Sequence, residues 1–62
     1  MEIIRRKREA LGMTQQELAH AARINASTVG AIETGTRKPS LPALTRIARV
    51  LGCRLGDLIK EA

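Results

Sequence analysis

Apolar residues recur along this chain in short bursts at helical spacing, and each burst is bracketed by residues that start or stop a helix. Leu44, Ile47, Ala48 and Leu51 fall at i, i+3, i+4 and i+7, the clearest amphipathic segment in the sequence. Ser40 stands ahead of it as an N-cap, Pro42 lies in the first turn, where a missing N–H costs nothing, and Gly52 ends it. Upstream, Thr14 followed three residues later by Glu17, just before Leu18, is a capping box, so a helix starts at Gln15 and turns Leu18, Ala19 and Ala22 inward. Asn25 offers a further N-cap ahead of Val29 and Ile32, which predicts a helix from about Ala26 to Thr34 closed by Gly35. Only Arg23, Ile24 and Asn25 separate these two helices, so they must cross steeply, as in a helix-turn-helix.

The ends of the chain follow the same logic. Glu2 to Leu11, with apolar Ile3, Ile4, Ala10 and Leu11 and with Gly12 as the residue after its cap, reads as a first helix. Leu55, Leu58 and Ile59 predict a short last helix from about Leu55 to Lys60, and Thr36 to Pro39 has loop composition. No alternating apolar run of strand length occurs, so the pattern predicts an all-α chain of five helices. Arg8 is the exception to the stripe of helix one. It lies four residues after Ile4 and three before Leu11, which sets a guanidinium on the inward side, where it needs a carboxylate. Glu33, next to Ile32, is the candidate partner; the alternative is that Arg8 snorkels out to water.

Composition narrows the function. Sixty-two residues make one small domain, 1–62, of 44% hydrophobic content without Phe, Tyr or Trp, so its core must be aliphatic. A chain of this size buries only about 60% of the surface its unfolded form exposes. A net charge of +5 favours a polyanionic partner. The absence of aromatic side chains disfavours modules that stack single-stranded bases, which leaves duplex DNA as the better fit. No apolar run approaches the ~18 residues of a membrane span, and nothing reads as a signal peptide, so a cytoplasmic location is expected. The lone Cys53 forms no internal disulfide and no metal site, and reads as a small buried hydrophobe. His20, the one histidine, falls on the outward side of its helix with no second ligand beside it. Glu17 is accounted for as a cap. No nucleophile with its base, paired-carboxylate cleft or metal-ligand spacing is present, so neither an enzyme nor a cofactor is expected.

The residues also resemble a known family, the phage-repressor and Cro-like helix-turn-helix domains, or xenobiotic-response-element group. Its run L-T-Q-x-E-L-A followed, after a turn, by S-T-[IV]-x-x-[IL]-E-x-G appears here as Met13 to Ala19 and Ser27 to Gly35. The likeness continues through Arg37-Lys38-Pro39-Ser40-Leu41, Leu44, Ala48, Leu51-Gly52 and Leu58, nearly the whole chain. It implies a compact five-helix, lambda-repressor-like fold in which the helix from Ala26 to Thr34 enters the major groove. It also implies that Gln15 binds a phosphate at a helix N-terminus, where free N–H groups favour an anion, that Thr36, Arg37 and Lys38 contact the DNA backbone, and that Arg8 and Glu33 form a structural ion pair. Base contacts would come from Asn25, Ala26, Ser27, Thr28, Gly30 and Ala31.

Four departures from the family pattern stand out. Arg23 occupies the usual turn glycine, so a bulky residue must take positive φ at a cost of order 1 kcal/mol. Lys7 replaces an apolar residue, with Ile3 compensating, and Arg54 stands at a usual N-cap serine. On the reading face Ala26, Gly30 and Ala31 replace longer polar side chains, which leaves Asn25, Ser27 and Thr28 as polar readers and Ala26 to touch a thymine methyl. Gly30 either lets DNA come close or is a neutral choice.

The expected function is a sequence-specific double-stranded DNA-binding transcription regulator, a repressor, acting as a homodimer through the last helix and the exposed parts of Leu55, Leu58 and Ile59. Phosphate contacts would also involve one of Arg5 and Arg6. The alternative is an antitoxin-like or accessory module whose DNA binding depends on a protein partner; a membrane-surface helix fits the multi-helix pattern poorly. With no sensor segment after the last helix, control is expected from oligomerisation, abundance, a partner or a portion of the natural protein outside this sequence.

Overall fold

Three of the described helices begin where a nearby side chain satisfies a backbone group that a helix N-terminus leaves open. The computed structural model describes residues 1–60, which form α1 (Glu2–Ala10), α2 (Gln15–Ala22), α3 (Ala26–Thr34), α4 (Leu41–Leu51) and α5 (Leu55–Lys60), with no strand among the described residues. Glu61 and Ala62, which the single-domain expectation includes, lie outside the described residues. At α2 the capping box is complete: Thr14 Oγ1 accepts from the Glu17 N–H at 3.0 Å, and the Glu17 carboxylate accepts from the Thr14 N–H at 2.8 Å. Ser40 Oγ accepts from the Ala43 N–H at 3.2 Å to open α4. At α5, where Arg54 has no capping oxygen, the reverse half of the box serves instead. Asp57 Oδ2 accepts from the Arg54 N–H at 3.0 Å.

The five helices enclose an aliphatic core. Ile4, Leu18, Val29, Ile32, Ile47 and Leu58 are its largest fully buried members, so every helix contributes at least one. α2 packs on both α3 and α4, α1 leans on α3, and α5 closes against α4. Cys53 is half-buried and packs against this core, and His20 is exposed. None of the helices is long and apolar enough to cross a membrane among the described residues.

Two expectations from the apolar pattern are overturned. Leu11 does not belong to the inward stripe: α1 ends at Ala10, Leu11 is its C-cap at φ −88° and ψ 0°, and the side chain is 55% exposed. Gly12, at φ +71°, turns the chain away one residue too early for Leu11 to complete the face. Leu58 is not part of an outward surface, because it is 0% exposed and belongs to the core. In a six-residue helix only about one side chain per 3.6-residue turn can point straight inward. Here Leu58 does, leaving Ile59 49% exposed and Leu55 half-buried.

Candidate nucleic-acid interface

The turn between α2 and α3 is built by closing α2 in the left-handed region. Arg23 takes φ 59° and ψ 45°, the one non-glycine residue at positive φ among those described. Its N–H bonds to the Ala19 and His20 carbonyls, and the Ile24 N–H bonds back to Ala19 O at 2.9 Å. This double closure is the Schellman pattern, for which glycine is the unstrained residue. Asn25 then enters extended, at φ −80° and ψ 147°, as N-cap of α3. Its carboxamide makes no cap hydrogen bond and stays exposed.

A buried polar knot holds the far end of α3 against α1 and α2. Arg8 and Glu33, 8% and 7% exposed, meet through Nε donating to Oε2 at 2.7 Å and Nη2 donating to Oε1 at 3.1 Å. The remaining terminal nitrogen of Arg8 donates to Met13 O at 2.7 Å. Gln15 Nε2 donates to Glu33 Oε1 at 3.1 Å, which joins the first residue of α2 to the same carboxylate. Among the described residues no buried side-chain nitrogen or oxygen is left without a partner. Burial pushes the Glu33 carboxyl up, but the hydrogen bonds from Arg8 and Gln15, with the Arg8 charge, more than offset it and hold the group below its ordinary value. The Glu33 hydrogen bond outweighs burial at Arg8 and raises that guanidinium above its usual value.

Gln15 is thereby exposed yet oriented. One N–H faces Glu33, while the rest of the carboxamide lies over Gly30, where a Cβ would sit 3.6 Å from Oε1 and 3.7 Å from Nε2. Those are ordinary contact distances, so the packing around Gly30 does not require a glycine. On α3, Ser27 is exposed, and Thr28, Gly30 and Ala31 are half-buried. Ala26 is half-buried too and packs against the core, so only part of its methyl faces outward.

The loop after α3 closes through the Ala31 carbonyl, which accepts from the Thr36 and Arg37 N–H groups at 2.9 and 3.2 Å. Thr36 is exposed, but its hydroxyl also turns back to Ala31 O at 3.2 Å, whereas the Arg37 and Lys38 side chains project into solvent. Asn25, Thr28, Arg37, Lys38 and Ser40 line one cleft of about 370 Å³, which brings the start of α3 and the basic loop together. Gln15 lies outside it, at the other end of the helix pair. Arg5 is engaged by carboxylates, hydrogen-bonded to Glu2 and 3.7 Å from Glu9.

Arg23 and Arg46 also line this cleft, and Arg46 Nε donates to Ala22 O, an otherwise open carbonyl of the last turn of α2, at 2.9 Å. Arg46 and Arg49 escaped the apolar-pattern reading because that reading follows the inward stripe. Two cations one turn apart beside the stripe of α4 were the available signal. Among the described residues no three His, Cys, Asp or Glu side chains group around a point that could hold a metal ion.

Comparison with known proteins agrees with this architecture. A helix-turn-helix family model matches residues 4–58. An "Uncharacterized HTH-type transcriptional regulator" of Methanothermobacter thermautotrophicus is 46% identical over 50 residues, covering 81% of this chain and 72% of the relative. A protein of the same description from Archaeoglobus fulgidus is 42% identical over 55 residues, covering 89% and 79%. The crystal structure of the clp gene regulator ClgR from Corynebacterium glutamicum superposes with a TM-score of 0.90 at 28% identity over 97% of this chain. This chain spans 64% of that one. With a match that runs from Ile4 in α1 to Leu58 in α5 and encloses the capped helix pair, the chain belongs to the helix-turn-helix family of the Cro and repressor type.

Proposed function

We propose that this protein is a DNA-binding transcription regulator that sets α3 in the major groove of duplex DNA and represses transcription from the site it occupies. The observation that carries this reading is the cleft in which the exposed N-terminus of α3 and the cations Arg37 and Lys38 meet. Base edges and backbone phosphates lie side by side along one groove, so one cleft can engage both. Asn25 would read a base edge through its free carboxamide, with Ser27 and Thr28 beside it, while Ala26, Gly30 and Ala31 admit the bases closely without forming bidentate bonds. Gln15, Arg37 and Lys38 would hold phosphates, with Thr36, whose N–H and hydroxyl turn back to Ala31 O, shaping the loop that presents them, and the Arg8–Glu33 pair would keep Gln15 aimed. Two copies, joined through Ile59 and the exposed part of Leu55, would fit an operator of two half-sites about 34 Å apart. The names of the archaeal relatives support a regulator, and a cytoplasmic location follows from that role.

Titration against a pool-selected duplex and a random one, at several salt concentrations, tests the reading. Tight salt-dependent binding with preference for the selected duplex is expected. Equal affinity for both removes specificity, and no binding at low salt refutes DNA binding altogether. The small residues on the reading face favour a second reading, an accessory module whose DNA affinity rises when a protein partner is bound. A selected duplex bound tightly by the isolated chain counts against it.

A further inference from the structure

Around the α2–α3 turn from the reading face, Arg23, Arg46 and Arg49 converge on a separate cleft of about 330 Å³, floored by Ala21 and Val50. No carboxylate lines it, and none of the three arginines takes part in an ion pair among the described residues. Three unneutralised guanidiniums around one concavity repel each other, and an anion seated among them relieves that repulsion. Arg46 is also pre-positioned. Its Nε is fixed on Ala22 O, which leaves both terminal nitrogens, in the fork geometry that suits a phosphate, without a protein partner. Arg23 keeps a charged side chain at φ 59°, where glycine would be free of strain.

The occupant follows from continuity. Arg23 and Arg46 line both this cleft and the neighbouring one with Arg37 and Lys38, so the cations form one uninterrupted band from the α3–α4 loop, past the turn, onto the outer side of α4. A small anion would fill one point of such a band. A phosphodiester strand, charged at every nucleotide, offers an anion to each of these cations in turn. We propose that Arg23, Arg46 and Arg49 form a second phosphate track, which extends the grip on DNA from the loop around the turn to α4 and supplies affinity that the short-chained reading face does not. This rests on the DNA-binding reading above.

The test compares wild type with Arg23→Gly, Arg49→Gln and the double variant on a selected and a random duplex, from low to moderate salt. Neither residue supports the fold: both side chains are exposed, and Arg23→Gly relieves a left-handed arginine. Each lost contact should lower the slope of log affinity against log salt by about 0.9, so the double variant should lose about 1.8. The loss of affinity should be the same on both duplexes, and Arg23→Gly should melt at a higher temperature than wild type while binding DNA more weakly. Wild-type binding with unchanged slopes in the variants overturns the track and leaves the DNA-binding reading standing. Unchanged slopes together with saturable binding of poly-glutamate, lost in the double variant, overturn it in favour of an acidic protein partner. A wild-type chain that binds no duplex overturns both.

Discussion

Glu33→Gln is the substitution from which the most follows. In the folded protein the Glu33 carboxylate accepts two hydrogen bonds from Arg8 and one from Gln15, and it neutralises a guanidinium that is 8% exposed. Glutamine keeps one acceptor oxygen, loses the charge, and must point its own NH₂ at a donor. A hydrogen bond to a charged group contributes about 1.5 to 3 kcal/mol, and removing one member of a buried pair costs about 3 to 5 kcal/mol. A single core of this size rarely supplies more than about 3 to 5 kcal/mol in total. The variant should therefore be largely unfolded at room temperature, read by far-UV circular dichroism in a urea titration. Replacing both partners by aliphatic side chains, Arg8→Met with Glu33→Leu, should recover much of the loss, because no charge is left buried alone. A single-variant loss below about 1 kcal/mol would refute the reasoning. The same pair sets an acid limit. The folded pKa of Glu33 lies below its ordinary 4.5, so the stability it contributes is fully present above that value and is lost as pH falls through the folded pKa.

Thr14→Ala removes one half of the capping box and should cost about 1 kcal/mol in urea titrations. Gly30→Ala adds a Cβ at ordinary contact distance from Gln15, so it should stabilise α3 by up to about 1 kcal/mol; a simultaneous fall in DNA affinity would show that close approach of the duplex needs the glycine. Leu58→Ala should cost about 2 to 5 kcal/mol through a core cavity. Ile59→Ser should leave the melting temperature nearly unchanged and shift sedimentation toward monomer, and a dimer that survives it would exclude Ile59 from the contact.

Features that depend on residues within one turn of each other were legible from the sequence. Thr14 with Glu17, Ser40 before Leu41, and Gly52 after Leu51 fix helix ends by local hydrogen bonding, and four of the five helices have the expected span, α1 ending one residue early. Arg8 was legible for a different reason: a guanidinium on an apolar stripe is too costly to leave unpaired, and Glu33 meets it from 25 residues away. What failed was phase at helix ends. Leu11 drops out of its stripe because α1 ends at Ala10, and Leu58 goes in while Ile59 stays out because six residues do not define a face by periodicity. Invisible in the sequence were contacts that only the tertiary crossing creates. Arg46 on the Ala22 carbonyl, 24 residues away, and Gln15 over Gly30 depend on how α2 crosses α4 and α3.

The split between a secure scaffold and a sparse reading face has a quantitative consequence. Asn25 is the only side chain among the six candidate readers with a carboxamide that can pair a base at two points, and such a pair discriminates by about 1 to 3 kcal/mol. One domain on one half-site would therefore separate a matched from a random sequence by a factor of about 5 to about 150. That is short of the 10³ to 10⁷ by which specific DNA binders typically exceed their own non-specific binding. Phosphate contacts cannot close the gap, because they raise affinity for every duplex alike. Two copies on one operator can, since their discrimination energies add when both half-sites are engaged together, and a hundredfold becomes ten-thousandfold. In the proposed dimer the exposed Ile59 and half-buried Leu55 on α5 would therefore bear on specificity even though neither lines the reading cleft. On the proposed DNA-binding reading, pairing through them would turn a basic domain with few base contacts into a selective regulator.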